Sequence, residues 1–279
     1  MKHIIYPCIW FNSQSKEAAT FYCSLFSNSK IVADTPMVTT FELAGELFMG
    51  LNGGPVFQIN PSISMFVNCS SSEEVEMLNA KLTKEGSSLM AVGEYPWSKK
   101  YAWVKDKFGL TWQLMLNEVP AGTPKITPLF LFSNKQFGRA KQAIQFYTSI
   151  FPNSKTLDLQ LYGTDDAQVE GNLKFGNFTL NNKLFAAMDG PGNHNFEFNE
   201  GLSFVVNCDT QEEIDFYWGK LTEGGLESNC GWLKDKFGVS WQIVPTMLGK
   251  LMQDKEKAPR VMQAFMKMKK FDIEKLLNA

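Results

Sequence analysis

The sequence predicts an α+β protein made of two homologous halves, each holding two βαβββ units, and three observations carry that reading. First, Trp103-Val-Lys-Asp-Lys-Phe-Gly-Leu-Thr-Trp-Gln113 returns as Trp232-Leu-Lys-Asp-Lys-Phe-Gly-Val-Ser-Trp-Gln242, identical at eight of eleven positions. Second, two further blocks repeat in the same order: Phe21-Tyr-Cys-Ser-Leu-Phe-Ser-Asn-Ser-Lys30 with Phe146-Tyr-Thr-Ser-Ile-Phe-Pro-Asn-Ser-Lys155, and Ile63-Ser-Met-Phe-Val-Asn-Cys69 with Leu202-Ser-Phe-Val-Val-Asn-Cys208. The offsets of 125, 139 and 129 differ only by short insertions and deletions. A period this long means whole domains in tandem, since solenoid repeats run at about 20–50 residues. Third, within each half the apolar pattern and the capping residues run strand, helix, strands, and then start again.

The first half opens on an apolar strand over residues 4–11. Asn12, Ser13 and Ser15 supply turn and capping chemistry, and 16–26 reads as an amphipathic helix with Ala18, Tyr22, Leu25 and Phe26 on one face. Strands follow near 30–34, 37–43 and 46–51, and Asn52-Gly-Gly-Pro55 breaks the run. The order restarts with a strand at 63–69, a serine capping run over 70–72 with Glu73 in the first turn, and a helix to about Lys84. Gly86 stops that helix. Strands near 88–92, 101–105 and 111–116 close the half, with Asp106-Lys-Phe-Gly109 as the turn between the last two.

The second half repeats this from Ile126 to about Val244, with a shorter connection where Gly224-Gly225 leads quickly to Trp232. The expected boundaries are 1–120 and 125–246, joined by the Pro- and Gly-containing linker Glu118–Pro124, with a helical tail over 247–279 that has no copy upstream. Pro259 sits at a helix start there, and Met262, Phe265, Met266 and Lys269 follow at helical spacing. The tail is expected to pack back on the domain or on a second subunit, with Lys267, Lys269 and Lys270 as its solvated face.

The bulk properties exclude several classes of function. A formal net charge of −2 gives no general pull toward nucleic acid or an anionic membrane. The longest apolar runs fall far short of the roughly 20 residues that span a bilayer, and the opening apolar stretch reads as a strand because its copy recurs at 126–132. A cytoplasmic location is therefore expected. The five cysteines, Cys8, Cys23, Cys69, Cys208 and Cys230, are odd in number and nowhere closely paired, which suits free thiols in a reducing compartment.

Paired βαβββ units, an FY-containing first helix and a D-K-F-G-x-x-W turn resemble the vicinal oxygen chelate superfamily, which includes glyoxalase I, extradiol dioxygenases and bleomycin-resistance proteins. Within it, FYxSxFPNSK, SFVVNC, CGWLKDKFGVSWQIVP and the tail resemble the PhnB-like family, which also carries a demethylubiquinone methyltransferase label. The resemblance covers nearly all of both halves. It implies that each half curls its eight strands into an incomplete barrel around a pocket, and that the protein is a homodimer.

In the metal enzymes of that superfamily, His and Glu side chains on inward-facing strands hold a divalent cation. Carried onto this chain, the first-strand position falls on Tyr6–Pro7 and Thr127–Pro128, the fourth-strand position near Met49 and Ala186, the fifth-strand position on Ile63 and Leu202, and the last-strand glutamate on Gln113 and Gln242. None is a His, Asp, Glu or Cys. Cys8 and Asp189 are each displaced from the aligned site, His3 lies about three residues too early, and His194 sits in a mobile-looking loop. No metal and no cofactor are therefore expected.

The methyltransferase label would require a glycine-rich turn leading into a helix, and Leu51-Asn-Gly-Gly-Pro55 and Met188-Asp-Gly-Pro-Gly-Asn193 lack that helix. Neither a nucleophile elbow nor a P-loop occurs. Asp106-Lys107 and Asp235-Lys236 read as turn chemistry and surface charge. Six tryptophans fall on or beside strands: Trp10, Trp97, Trp103, Trp112, Trp232 and Trp241. Alternation over 111–116 turns Thr111, Gln113 and Met115 toward the pocket and Trp112 and Leu114 toward the helices.

The expected ligand-binding set is thus Tyr6, Met49, Ile63, Gln113, Met115, Thr127, Leu202 and Gln242. An apolar, glutamine-lined pocket of this kind suits a small apolar or aromatic molecule, with neither nucleic acid nor membrane as partner. The favoured function is metal-free small-molecule binding. The alternative is a glyoxalase- or dioxygenase-like lyase or oxidoreductase using a metal, and a third option has one half only scaffolding the other.

Overall fold

Residues 5–279 are described by the computed structural model, so His3 and the first residue of the expected opening strand lie outside the described residues. Four βαβββ modules follow one another. The first comprises β1 (Ile5–Phe11), α1 (Ser15–Cys23), β2 (Lys30–Asp34), β3 (Val38–Leu43) and β4 (Glu46–Asn52). The second comprises β5 (Ile63–Cys69), α2 (Ser72–Thr83), β6 (Ser87–Tyr95), β7 (Ser98–Lys105) and β8 (Thr111–Leu116). The third comprises β9 (Ile126–Phe132), α3 (Ala140–Ile150), β10 (Lys155–Leu161), β11 (Leu173–Leu180) and β12 (Lys183–Asp189). The fourth comprises β13 (Leu202–Cys208), α4 (Gln211–Thr222), β14 (Leu226–Glu227), β15 (Trp232–Lys234) and β16 (Ser240–Pro245). Three short helices end the chain: α5 (Leu248–Gln253), α6 (Ala258–Phe265) and α7 (Ile273–Leu277). No helix among the described residues is long and apolar enough to cross a membrane.

Local chemistry sets the helix starts. At α2 the Ser71 side chain accepts from the Glu74 amide while the Glu74 carboxylate takes the Ser70 amide, and Thr210 and Glu213 repeat that box at α4. Glu73 lies in the first turn, as expected, and the box partner is its neighbour Glu74. At α1 and α3 the cap comes from elsewhere: Asn52 at the end of β4 accepts the Ser15 amide, and Asp189 at the end of β12 accepts the Gly138 and Ala140 amides. Helix α1 stops at Cys23, three residues earlier than its apolar face suggested, yet Leu25 and Phe26 remain buried.

The α+β class and the repeated modules hold; what differs from the expectation is which modules share a sheet. The first sheet has the order β14-β15-β16-β13-β1-β4-β3-β2 and joins modules one and four. The second has the order β10-β11-β12-β9-β5-β8-β7-β6 and joins modules two and three. Each sheet therefore takes one module from each half, rather than each half closing on itself. The seams are antiparallel, β1 on β13 and β5 on β9.

The halves nevertheless keep their own packing. The ring of Tyr22 on α1 lies 5.2 Å from Trp112 on β8, and Phe26 lies 5.7 Å from it. In the second half Tyr147 and Phe151 stand 5.4 and 5.5 Å from Trp241 on β16. Each fully buried tryptophan removes roughly 150–250 Å² from water, on the order of 4–6 kcal/mol of apolar burial.

Strands β14 and β15 hold two and three residues, against nine and eight in β6 and β7. The tail stands beside the shortened hairpin: the Cys230 and Gly231 amides donate to the Met268 and Lys269 carbonyls, each at 2.7 Å. The tail thus packs back on its own chain, with Val261, Phe271 and Leu276 buried. Its expected helix ends at Phe265, so Lys269 lies in the non-helical segment beyond it.

Candidate functional site

In each sheet, residues alternate between a face packed under helices and a helix-free face. On the first sheet a cross-strand row of Tyr6, Val205, Gln242 and Trp232 lies on the helix-free side. Thr127, Phe66, Gln113 and Trp103 form the matching row on the second. Their strand neighbours Phe204, Trp241, Met65 and Trp112 belong to the main core on the other side. The second face curls inward. Phe66 on β5 and Phe175 on β11 are separated by β9 and β12, about 14 Å along a flat sheet, yet their rings lie 5.6 Å apart.

On that curled face Phe66, Leu129 and Ala186 pack with Met115, Phe175 and Met188 in a cluster separate from the main core. One amide sits beside it. Gln113 donates from Nε2 to Ser64 Oγ at 2.9 Å and accepts on Oε1 from Tyr101 Oη at 2.8 Å. Burial raises the Tyr101 phenol well above its ordinary value, so it remains a donor. The Thr127 hydroxyl is buried and has no hydrogen-bond partner among the described residues.

The first face has the same amide in other company. Gln242 Nε2 donates to Ser203 Oγ at 3.0 Å, and the Cys8 thiol, pushed up to about 12 by burial, lies against Gln242 and Ser203. Leu129 is the counterpart of Cys8 and Phe66 that of Val205, so this face is the more polar of the two. Tyr6 Oη donates to Asn207 Oδ1 at 3.4 Å, and Met49 pairs beside Cys8. Trp10 closes one side, its ring 4.9 Å from Phe57 and 5.8 Å from Trp232, with its indole N–H on the Gly54 carbonyl at 2.7 Å.

Six of the eight expected site residues therefore lie on helix-free faces, grouped differently from the expectation: Tyr6 and Met49 with Gln242, and Thr127 with Gln113 and Met115. Ile63 and Leu202 do not. Both are in the core beneath the helices, and the residues one step on, Ser64 and Ser203, face the glutamines. Sequence reasoning missed Tyr101, Phe66, Phe175, Ser64 and Ser203. Continuing the alternation outward from Gln113 through paired strands would have found them.

The metal of the superfamily does not fit these residues. Among the described residues no three His, Cys, Asp or Glu side chains converge. The Asp189 carboxylate is occupied by the amides of Gly138, Ala140 and Leu173. His194 sets Nε2 3.0 Å from the Pro191 carbonyl oxygen, and its loop, expected to be mobile, is held by three hydrogen bonds to the Asn134 side chain. Asp106 and Asp235 also correct an expectation: both are buried, accepting from backbone amides and from an indole, rather than forming surface charge. Among the described residues, the glycine-containing turns at 52–55 and 190–193 lead on to strands β5 and β13 rather than into a helix. Gly53 makes room for Trp10, whose ring would meet an added Cβ at 2.1 Å, and the next element is strand β5.

The sequence profile of the family described as 3-demethylubiquinone-9 3-methyltransferase matches residues 3–115 and again 124–244. A putative 3-demethylubiquinone-9 3-methyltransferase, PhnB protein, from Bacillus cereus is 35% identical over 39% of this chain and 96% of its own, with a TM-score of 0.38. Glyoxalase I from Zea mays is 11% identical over 90% of this chain and 95% of its own, with a TM-score of 0.57, a likeness of fold. No curated protein matches. With the profile matching twice along most of its length, the chain belongs to the 3-demethylubiquinone-9 3-methyltransferase (PhnB-like) family, in a tandem form with the fold of the glyoxalase superfamily.

Proposed function

We propose that the chain is a small-molecule binding protein whose second sheet takes a flat apolar molecule on its curled, helix-free face without help from a metal. The observation that carries this reading is the Gln113 amide, fixed by Tyr101 and Ser64 beside an apolar cluster detached from the main core. Apolar lining with a few fixed polar groups is the usual character of a small-molecule site. A neutral amide orients a hydroxyl or carbonyl on a ring without demanding charge, and Thr127 on the same row adds an uncommitted hydroxyl. The family description points to a quinone-like molecule, a chemistry this lining accommodates.

Titration with menadione and a panel of hydroxylated arenes, followed by calorimetry, tests the reading. At least one compound should bind, and Gln113→Leu should weaken it about 10–100-fold while Gln242→Leu leaves it unchanged. Added nickel, zinc, manganese or iron should leave the affinity where it was, and S-adenosylmethionine should give no heat. Failure of every compound, or binding that appears only with a metal, would sink the proposal.

A further inference from the structure

A cleft of about 650 Å³ lies between the end of β1 and the turn joining β7 to β8, with Trp10, which closes one side of the first helix-free face, as one of its walls. The duplication supplies an internal control, because every wall of this cleft has a counterpart in the second half. There Arg139, at the start of α3, lays its guanidinium 4.7 Å from the Phe237 ring centroid and donates to the Lys236 carbonyl and to Gln136. Phe198 fills the adjoining space and is buried against Phe130 and Phe132. In the first half those two positions are Gln14 and Ile59. The Gln14 side chain turns back to accept the Ser13 amide, and Ile59 is only half-buried. Two large groups have become two small ones, and the cleft is the space they leave.

A third replacement gives the space a charge. Lys234 pairs with Glu200 at 2.9 Å in the second half. Its counterpart Lys105 lines the cleft, while the counterpart of Glu200 is Pro61, and Lys105 has no ion pair among the described residues. The other lining charges are engaged or peripheral: Lys107 pairs with Glu17, the Asp106 carboxylate is turned inward to Trp112, and Glu85 is exposed. Trp10, Phe57 and Phe108 supply aromatic walls, and Asn12, Gln58 and Ser87 supply neutral donors.

We infer that this cleft is a second binding site, lined by none of the residues around Gln113, for a small anion carrying a flat apolar portion, with Lys105 meeting the carboxylate or phosphate group. Cations are disfavoured by the uncommitted ammonium, and a purely apolar guest would leave that ammonium without a partner.

Phenyl phosphate and benzoate are suitable probes, with benzamidine as the cationic control, read by two-dimensional amide NMR on the intact chain. At least one of the two anions should shift the Trp10 indole resonance and the amides of 57–59 and 105–109 saturably. Benzamidine should not. Lys105→Met, at an exposed side chain, should weaken binding about tenfold or more, as expected for the loss of one charge-assisted contact. The double variant Gln14→Arg, Ile59→Phe rebuilds the packing of the second half and should abolish binding without lowering Tm. Absence of a saturable shift with both anions, equal binding of benzamidine, or unaltered binding to Lys105→Met would overturn the assignment. If the double variant does not fold, the lysine substitution still decides.

Discussion

Trp241 donates its indole N–H to Asp235 at 2.8 Å within the core. The same carboxylate accepts from the Phe237 and Val239 amides and from Tyr147 Oη, tying the last turn of the half to its first helix. The repeated D-K-F-G-x-x-W sequence is therefore an internal bracket: a buried acid with four donors around it. Asp235→Ala strands all four and should cost about 3–5 kcal/mol, since each buried donor left without an acceptor costs about 1–3 kcal/mol before relaxation. Trp241→Phe, which removes one of the two donors to Asp235 Oδ2, leaves Tyr147 on that oxygen and trims the ring, should cost about 1–3 kcal/mol. Urea unfolding measures both. A loss below about 1 kcal/mol for Asp235→Ala would show that the turn is held by its backbone alone.

The corresponding acid in the first half gives a pH signature. Burial pushes Asp106 up to about 6 from 3.8, against the opposing pull of its hydrogen bonds to Trp112 and to the Phe108 and Leu110 amides. Its folded carboxyl thus takes up a proton at higher pH than its unfolded one. The contribution of Asp106 to stability therefore rises as pH falls from above 6 to below 3.8, by roughly 3 kcal/mol over that window. Salt-bridged carboxylates such as Glu74 pull the other way, so the comparison must be differential. Relative to Asp106→Asn, the parent should gain about 2–3 kcal/mol between pH 7 and pH 4 in denaturant titrations. A flat difference, or one of opposite sign, would contradict the burial argument.

These elements also show where the sequence was legible. The modules, the turn and the inward direction of Gln113 and Met115 could be read because repetition and period-2 alternation are strong local signals. Ile63 and Leu202 were placed on the wrong face for a physical reason. Strand β5 is buried at all seven positions and β13 at six of seven, so composition gives no face on which to anchor a register. The sharing of sheets was hidden for a related reason. Strand β5 and strand β13 are near copies, so either offers β1 an equivalent edge, and the choice lies in long-range packing. Asp106 and Asp235 misled because an acid in a turn is ordinarily solvated.

Gly231 lets the tail dock. Its φ is +79°, and an added Cβ would come within 2.5 Å of the Phe271 ring and 2.6 Å of the Ile243 carbonyl oxygen. Gly231→Ala should therefore combine backbone strain with eviction of Phe271, costing about 2–4 kcal/mol. Limited proteolysis should then cut within the tail well before the sheets. Equal protection of tail and sheets in the variant would show that Phe271 is not what fastens it.

The exchange of modules between sheets makes a prediction about the halves themselves. In isolation, residues 1–120 keep the packing of α1 on Trp112 but lose β13 from the side of β1 and β9 from the side of β5. Both bared strands are largely buried and apolar, and an open apolar edge recruits another strand. A fragment of 1–120 should therefore not remain a monomer. Co-expressed with 121–279, it should purify as a one-to-one complex whose far-ultraviolet spectrum matches the intact chain. Two lysines or prolines placed on the β1 seam, at Tyr6 and Cys8, should break that complex more severely than the same changes on the outer strand β2. Light scattering after gel filtration decides the matter. A monomeric 1–120 that unfolds cooperatively on its own would mean that each half can satisfy its seams internally, contrary to the strand order found here.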